Sequence, residues 1–306
     1  MIRKYLFFSL CIFPFHLVYG QREMKNIPFV QRDTMPLMMD IYYPVNLQEK
    51  NTTIIFLFGG GFKSGSRSDQ NVTDYCKTLS DSGFIVAAID YRLGLKNMKG
   101  MGLSMLKPLR NAINMAVEDL YSATGYLLAN AQKLKIDPER IIINGSSAGA
   151  VTVLQADYEL TNIRKEISAL PSDFRYAGVI SFAGAILSYR GKPRYKDSPA
   201  PTFFIHGTED KLVFYNKKQI FWLGFFGSSA LVKRFEKSNH PYCMYRYRDM
   251  GHEIAEEPFK RNIRDIIYFI QEYVDKRRPL RVDVTIKDDD LKRSSTVARR
   301  PKDLYK

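Results

Sequence analysis

Apolar residues recur along the chain in two alternating rhythms. Residues 37–43 are rich in apolar and β-prone side chains and stop at Pro44, while 53–58 and 84–89 are continuous apolar runs bounded by Gly or Asp. Short unbroken runs of this kind predict strands buried on both faces. Between 109 and 133 the positions Ile113, Ala116, Val117, Leu120, Tyr121, Leu127 and Leu128 follow helical spacing, which predicts a helix. Asp137-Pro138-Glu139 is a turn signal, followed by a strand at 140–144 and a helix from Ala148. Further strands are predicted at 176–182, 202–205 and 242–247, with a helix at 230–237. The last element, 258–274, carries Ile263, Ile266, Ile267, Ile270 and Val274 on one face, as an amphipathic helix does.

Parallel neighbours in a sheet need a crossover, and the crossing helix buries a sheet face. The alternation therefore predicts an α/β fold with a mostly parallel central sheet and helices on both faces. Ligands bind such sheets beyond the carboxyl ends of the strands. No internal repeat is present.

Composition adds the compartment and narrows the partners. With 306 residues and 45% hydrophobic content the chain can bury a substantial core. At the amino terminus Arg3 and Lys4 precede an apolar run at 5–18, then Tyr19 and Gly20. That is the layout of a secretory signal cleaved after Gly20. The run is shorter than the roughly 18 to 20 residues of a membrane span and is interrupted by Pro14. The expected product is secreted or periplasmic, with no stable membrane anchor. Residues 21–279 are expected to form the folded domain, and 280–306 a charged, flexible tail.

Removing residues 1–20 takes away two cations and no acids, so the net charge falls only from +14 to +12. From 276 onward 11 Lys and Arg face 5 Asp and Glu, a run of mixed charge that is ordinarily solvated. A basic balance attracts acidic polymers or an anionic surface. No basic and aromatic motif of a nucleic-acid module accompanies it, so nucleic acid is not an expected partner. Cys76 and Cys243 remain after cleavage; they exclude a disulfide framework and leave one bridge open. His206, His240 and His252 lack metal-ligand spacing, and no metal or other cofactor is expected. Oligomeric state has no signature in the sequence.

Candidate chemistry centres on Gly145-Ser146-Ser147-Ala148-Gly149, which fits Gly-x-Ser-x-Gly in one frame with Ser147 in the middle. A sharp strand-to-helix turn projects that serine above the sheet, and glycines on either side leave room for the neighbouring backbone. A serine hydroxyl attacks only when a base takes its proton and a carboxylate orients the base. Asp210 follows the strand at 202–205 within His206-Gly-Thr-Glu-Asp210, and His252 follows the strand at 242–247 within Asp249-Met-Gly-His252. Upstream, Gly59-Gly60-Gly61 closes an apolar strand. The N–H groups of Gly60 and Gly61 can join that of Ala148 in an oxyanion hole.

Residues 53–273 resemble the α/β-hydrolase superfamily, in its esterase and lipase-like branch. The resemblance rests on Phe58-Gly59-Gly60-Gly61-Phe62, Asp90-Tyr91-Arg92-Leu93, Ile136-Asp137-Pro138-Glu139-Arg140-Ile141, the Ser147 pentapeptide, His206-Gly207-x-x-Asp210 and Gly251-His252. The order serine, acid, histidine matches that family. Phe58 stands where the family usually has His, a position that orders the glycine loop. The resemblance implies a carboxylic ester hydrolase of the serine type working through an acyl-enzyme, with no cofactor, on a small-molecule or glycan-linked ester. It also implies a structural role for His206. Asp90-Tyr91-Arg92 is expected to brace the glycine loop through charged hydrogen bonds.

Several alternatives stay open at this level. His206 competes with His252 as base, and Glu209 and Asp249 compete with Asp210 as acid. The apolar segment 220–226 is either a core helix or a pocket wall, which makes Phe62, Phe221, Trp222 and Phe225 the pocket candidates. Other reactions on the same fold are removal of acetyl or feruloyl groups from plant polysaccharides and peptide cleavage. A non-catalytic binding protein is the reading from outside enzymology.

Overall fold

The computed structural model describes residues 22–33, 35–99, 102–162 and 169–291. The segments read as a secretory signal, 1–20, and as the end of the tail, 292–306, lie outside the described residues. A hairpin, β1 (Glu23–Arg32) and β2 (Met35–Tyr42), leads into β3 (Asn51–Leu57), α1 (Gln70–Asp81) and β4 (Ile85–Ile89). Next come α2 (Leu106–Ala129), α3 (Ala131–Leu134), β5 (Ile136–Ser146), α4 (Ala148–Asn162), β6 (Gly178–Phe182), β7 (Ala185–Ser188) and β8 (Thr202–Gly207). The chain closes with β9 (Lys217–Ile220), β10 (Leu223–Gly227), α5 (Ser228–Lys237), β11 (Tyr242–Tyr247), α6 (Pro258–Arg261), α7 (Ile263–Phe269) and β12 (Arg281–Ile286).

Nine strands form the central sheet in the order β1-β2-β4-β3-β5-β6-β8-β11-β12. Only β1 with β2 and β2 with β4 pair antiparallel; every other pair is parallel. The chain runs outward from β3 to β4 and then returns to the other side of β3 with β5. The strand order thus reverses between β3 and β5, the place where open α/β sheets bind ligands. Helices α2 and α4 pack on each other and on β5, while α1 meets α6. Phe269 and Val274 lie beside Gly178 of β6. With both faces covered, Ile54, Ile55, Phe56 and Leu57 of β3 are fully buried, which is why that strand reads as an unbroken apolar run.

Four differences from the sequence expectations have physical causes. The turn at 137–139 is an excursion inside β5: pairing jumps from Asn51 opposite Ile136 to Thr53 opposite Ile141. The closing helix is divided at Asn262, whose side chain bonds Tyr247 and Asp265, and its last turn, Ile270–Asp275, is π-helical. The tail expected to be mobile from residue 280 instead contributes β12, which pairs parallel with β11 from Tyr242 opposite Arg281 to Tyr247 opposite Ile286. Within its charge run, Val282, Val284 and Ile286 alternate with Asp283 and Thr285, a strand period that net charge conceals. The segment 220–226 is not a helix, and of its large apolar side chains only Phe226 is buried in the core. It is the tip and second strand of the β9–β10 hairpin, which joins β7 in a separate three-stranded sheet.

Cys76 in α1 and Cys243 in β11 are both free and buried, so the bridge left open by the sequence is not formed. Burial pushes the Cys243 thiol up to about 12.

Candidate active site

Strand β5 ends at Ser146 and α4 begins at Ala148, so Ser147 alone makes the turn. Its φ of 51° is in the left-handed region, which costs a residue with a Cβ on the order of 1–3 kcal/mol. The flanking glycines permit this. A Cβ on Gly145 would stand 2.3 Å from the carbonyl carbon of Gly149, and one on Gly149 would stand 2.2 Å from the Leu57 carbonyl oxygen. The Ser147 N–H donates to the Phe182 carbonyl at 2.9 Å, which fixes the turn against the end of β6.

The two adjacent serines face different partners. Ser146 Oγ donates to the Ala255 carbonyl at 2.8 Å. Ser147 Oγ lies 2.8 Å from Nε2 of His252, whose Nδ1 lies 2.7 Å from Oδ2 of Asp210. An ionised carboxylate only accepts hydrogen bonds, so Nδ1 carries the proton and the lone pair on Nε2 is directed at the serine hydroxyl. All three side chains are buried, with relative exposures of 8% for Ser147, 4% for Asp210 and 7% for His252.

Burial alone would raise the Asp210 carboxyl. The His252 charge and the hydrogen bonds from His206 and His252 outweigh it and hold the group well below the usual carboxylate range. Its second oxygen, Oδ1, accepts the backbone N–H groups of Leu212 at 2.9 Å and Val213 at 3.1 Å. The rivals are elsewhere. His206 is fully buried behind the acid, with Nε2 3.1 Å from Asp210 Oδ2 and 3.0 Å from the Val213 carbonyl, and Nδ1 2.8 Å from Ser228 Oγ. Because Nε2 faces two acceptors it carries a proton. Glu209 and Asp249 are on the surface beside Lys211 and Arg248.

On the opposite side of Ser147, β3 runs into the glycine loop. Gly60 has a φ of 106° and its carbonyl takes the N–H groups of Lys63 at 3.0 Å and Ser64 at 3.1 Å. A Cβ on Gly59 would lie 3.3 Å from the Ser147 Cβ, so the loop rests directly against the serine. Ala148 is in the first turn of α4, where backbone N–H groups have no intrahelical acceptor and the helix dipole is positive. Phe58 orders the loop by packing: its ring stacks on Tyr91 at 4.5 Å between centroids. The Tyr91 hydroxyl donates to the Phe58 carbonyl at 2.9 Å and approaches that of Gly59 at 3.3 Å.

Of the brace expected from Asp90-Tyr91-Arg92, Tyr91 supplies the bond to the glycine loop, while the two charged members take other partners. Asp90 pairs with Arg67, farther along the same loop, while Arg92 bonds Asp119 of α2 at 2.9 Å. Sequence reasoning missed two contributors: Ser228 behind His206, and Glu253, whose Oε1 takes the Gly251 N–H at 2.7 Å next to His252. Neither belongs to a spacing that marks it in advance.

The pocket candidates do not converge. Phe62 is buried edge-on to Tyr91, and Phe225 is half-buried on β10. Phe221 and Trp222 are 81% and 72% exposed at the β9–β10 tip.

Comparison with known proteins agrees with the architecture. A sequence model of the family described as BD-FAE matches residues 39–186, just under half of the chain. Gut esterase 1 of Caenorhabditis elegans is 32% identical over 107 residues, which are 35% of this chain and 18% of that protein. A secreted triacylglycerol lipase of Gibberella zeae is 25% identical over 174 residues, 54% of this chain and 27% of that protein. The chain spans less than a third of the length of the curated relatives it matches. Among solved structures, a thermophilic esterase from Thermogutta terrifontis superposes with a TM-score of 0.62 at 19% identity, covering 82% of this chain and 92% of that one. An esterase from Lactobacillus rhamnosis gives 0.60 at 14% identity, covering 83% and 86%.

Proposed function

We propose that this chain is a member of the α/β-hydrolase superfamily, in its esterase and lipase-like branch, and a serine hydrolase that cleaves carboxylic esters. The observation that carries the reading is the unbroken relay from Ser147 Oγ through the His252 ring to Asp210, at 2.8 and 2.7 Å. In the first half-reaction Ser147 attacks the ester carbonyl as His252 Nε2 takes the hydroxyl proton. The tetrahedral intermediate places a negative oxygen against the N–H groups of Gly60, Gly61 and Ala148, each worth about 3 kcal/mol. It collapses as the imidazolium returns the proton to the leaving alcohol. In the second half-reaction water repeats the attack on the acyl-enzyme and regenerates Ser147. Asp210 stays ionised throughout, holding the Nδ1–H tautomer and balancing the transient imidazolium.

The substrate we assign is a small carboxylic ester; the esterase and lipase names of the sequence relatives support that class. The charge and apolar pattern of residues 3–20 supports export of the enzyme. The test is hydrolysis of a short-chain aryl ester together with labelling by a fluorophosphonate probe. Both should be lost in Ser147→Ala while the melting temperature is kept. Turnover that survives this substitution overturns the reading, and loss on Ser146→Ala alone moves the nucleophile by one residue.

A further inference from the structure

The β9–β10 hairpin carries an arrangement that ester hydrolysis does not account for. Two residues, Phe221 and Trp222, connect its strands. Two-residue hairpin turns favour Asn, Asp and Gly, because at least one position takes a positive φ. Here Phe221 adopts a φ of 52°, and Phe221, Trp222 and the neighbouring Ile220 are 81%, 72% and 59% exposed. A bulky side chain in the left-handed region and three apolar side chains in water both work against folding. The hairpin stem does not require them: Phe226, five residues past Phe221, is already buried against the body of the protein.

The two chain segments that flank the tip carry one sign of charge. The Trp222 carbonyl accepts the Gly191 N–H at 2.6 Å, which brings the exposed Arg190 and Lys192 beside the tip, and β9 brings the exposed Lys217 and Lys218. Residues 188–196 and 211–222 together hold seven Lys and Arg and no Asp or Glu. The acids next to these stretches in sequence are Asp197, Glu209 and Asp210, the last buried at the site, while Glu118 and Glu159 line a cavity on the other side of Arg190. Among the described residues, Arg190, Lys192, Lys217 and Lys218 form no ion pair.

We infer that this tip is a docking element for an anionic phospholipid surface, with Ile220, Phe221 and Trp222 entering the headgroup and acyl boundary and the flanking cations meeting lipid phosphates. Tryptophan and other large apolar side chains favour that boundary, and each nearby cation adds to attraction by anionic lipid. A glycan is a poorer fit, since the Phe221 and Trp222 rings are inclined at 46° and the third apolar member is aliphatic, so there is no flat stacking platform. A second copy of the chain is a poorer fit as well, because a two-fold contact through this tip would set its cations against one another. The inference concerns binding and is independent of the reaction at Ser147.

Trp222 is the chain's only tryptophan, so its fluorescence reports on the tip directly. The full chain is titrated with phosphatidylcholine vesicles, with and without phosphatidylglycerol, at low and high salt. The expected result is a shift of emission to shorter wavelength and co-sedimentation with the anionic vesicles, both reversed by salt. Lys217→Glu with Lys218→Glu should weaken partitioning by at least about tenfold, and Phe221→Asp should abolish the emission shift. Thermal unfolding of each variant confirms that it is folded. No shift and no co-sedimentation with anionic vesicles overturns the inference. It is equally overturned by a shift that appears without vesicles and tracks protein concentration, which means self-association, or by a response to soluble polygalacturonate but not to vesicles, which means a polyanion site.

Discussion

His206 Nε2 lies 3.1 Å from Oδ2 of Asp210, the same oxygen that takes the His252 ring at 2.7 Å. One carboxylate oxygen thus receives two imidazole N–H groups, and only one of the rings reaches Ser147. His206 is therefore a positioning residue: it holds the acid in place while Ser228 holds His206. Replacing it by Leu removes a hydrogen bond to a buried charge, an interaction worth about 1.5–3 kcal/mol. If that energy is felt in the transition state, kcat falls about ten- to a hundredfold with KM little changed. His206→Gln keeps an N–H donor and should recover part of the loss. The kcat and KM split and the pH profile of both variants check this; equal KM and kcat effects, or no recovery with Gln, would assign His206 to packing alone.

Asp210→Asn tests the other end of the same relay. The amide preserves the shape of the carboxylate but cannot favour the Nδ1–H tautomer or balance the imidazolium, so kcat is expected to drop on the order of 10⁴-fold. Steady-state kinetics on an aryl ester measure it. A drop smaller than tenfold would mean that another group, with Glu253 the nearest in sequence, supplies the orientation.

Gly149 is a test of the elbow. A methyl group there would stand 2.2 Å from the Leu57 carbonyl oxygen and 2.7 Å from that of Phe58. These are backbone atoms at the end of a fully buried strand, so relief requires α4 and β3 to separate. Gly149→Ala should cost at least about 2 kcal/mol of stability, which lowers the melting temperature by roughly 4 °C or more. It should also displace the glycine loop from Ser147 and reduce kcat. Calorimetry and kinetics on one preparation decide the matter.

Ser146→Ala separates the neighbouring serines. It deletes the 2.8 Å bond to the Ala255 carbonyl and leaves that buried acceptor unpaired, for a cost of about 1–2 kcal/mol in stability. The Ser147–His252 bond is untouched, so turnover of an aryl ester should persist. A stable but inactive Ser146→Ala would contradict the assignment of roles.

What the sequence made legible has a common cause. Ser147, Asp210 and His252 each follow a buried strand at a position marked by glycine, and the same glycines give the close approaches seen at Gly145, Gly149 and Gly207, where a Cβ would stand 2.3 Å from the Gly251 carbonyl oxygen. Parallel strands buried on both faces leave the plainest pattern, so β3, β4 and β8 are readable to within two residues at each end. Strand β12 was hidden because an edge strand can be highly charged, and alternation over six residues is faint inside a charge run. The β9–β10 hairpin was misread because apolar composition reports hydrophobicity, not burial. The bond from His206 to Asp210 was invisible because it depends on the backbone path between the two, which no residue spacing encodes.

Asp157 of α4 gives the pH dependence of stability an unusual sign. It is 4% exposed, and burial raises its carboxyl to about 7, against the lowering effect of the Ala200 backbone N–H. An unfolded aspartate titrates near 3.9. Below both values the group is protonated in folded and unfolded chains alike, and it has no effect on stability. As pH rises between them the unfolded chain loses its proton first, so folding becomes progressively less favourable, reaching a plateau above about 7. The full difference corresponds to a penalty on the order of 4 kcal/mol. Asp157→Asn keeps an acceptor for the Ala200 N–H and removes the titration. It should therefore raise the melting temperature at pH 8, leave it nearly unchanged at pH 4, and flatten the slope between. Melting curves of both proteins across that range test the claim; a variant that is destabilised equally at every pH would show that Asp157 stays ionised in the fold.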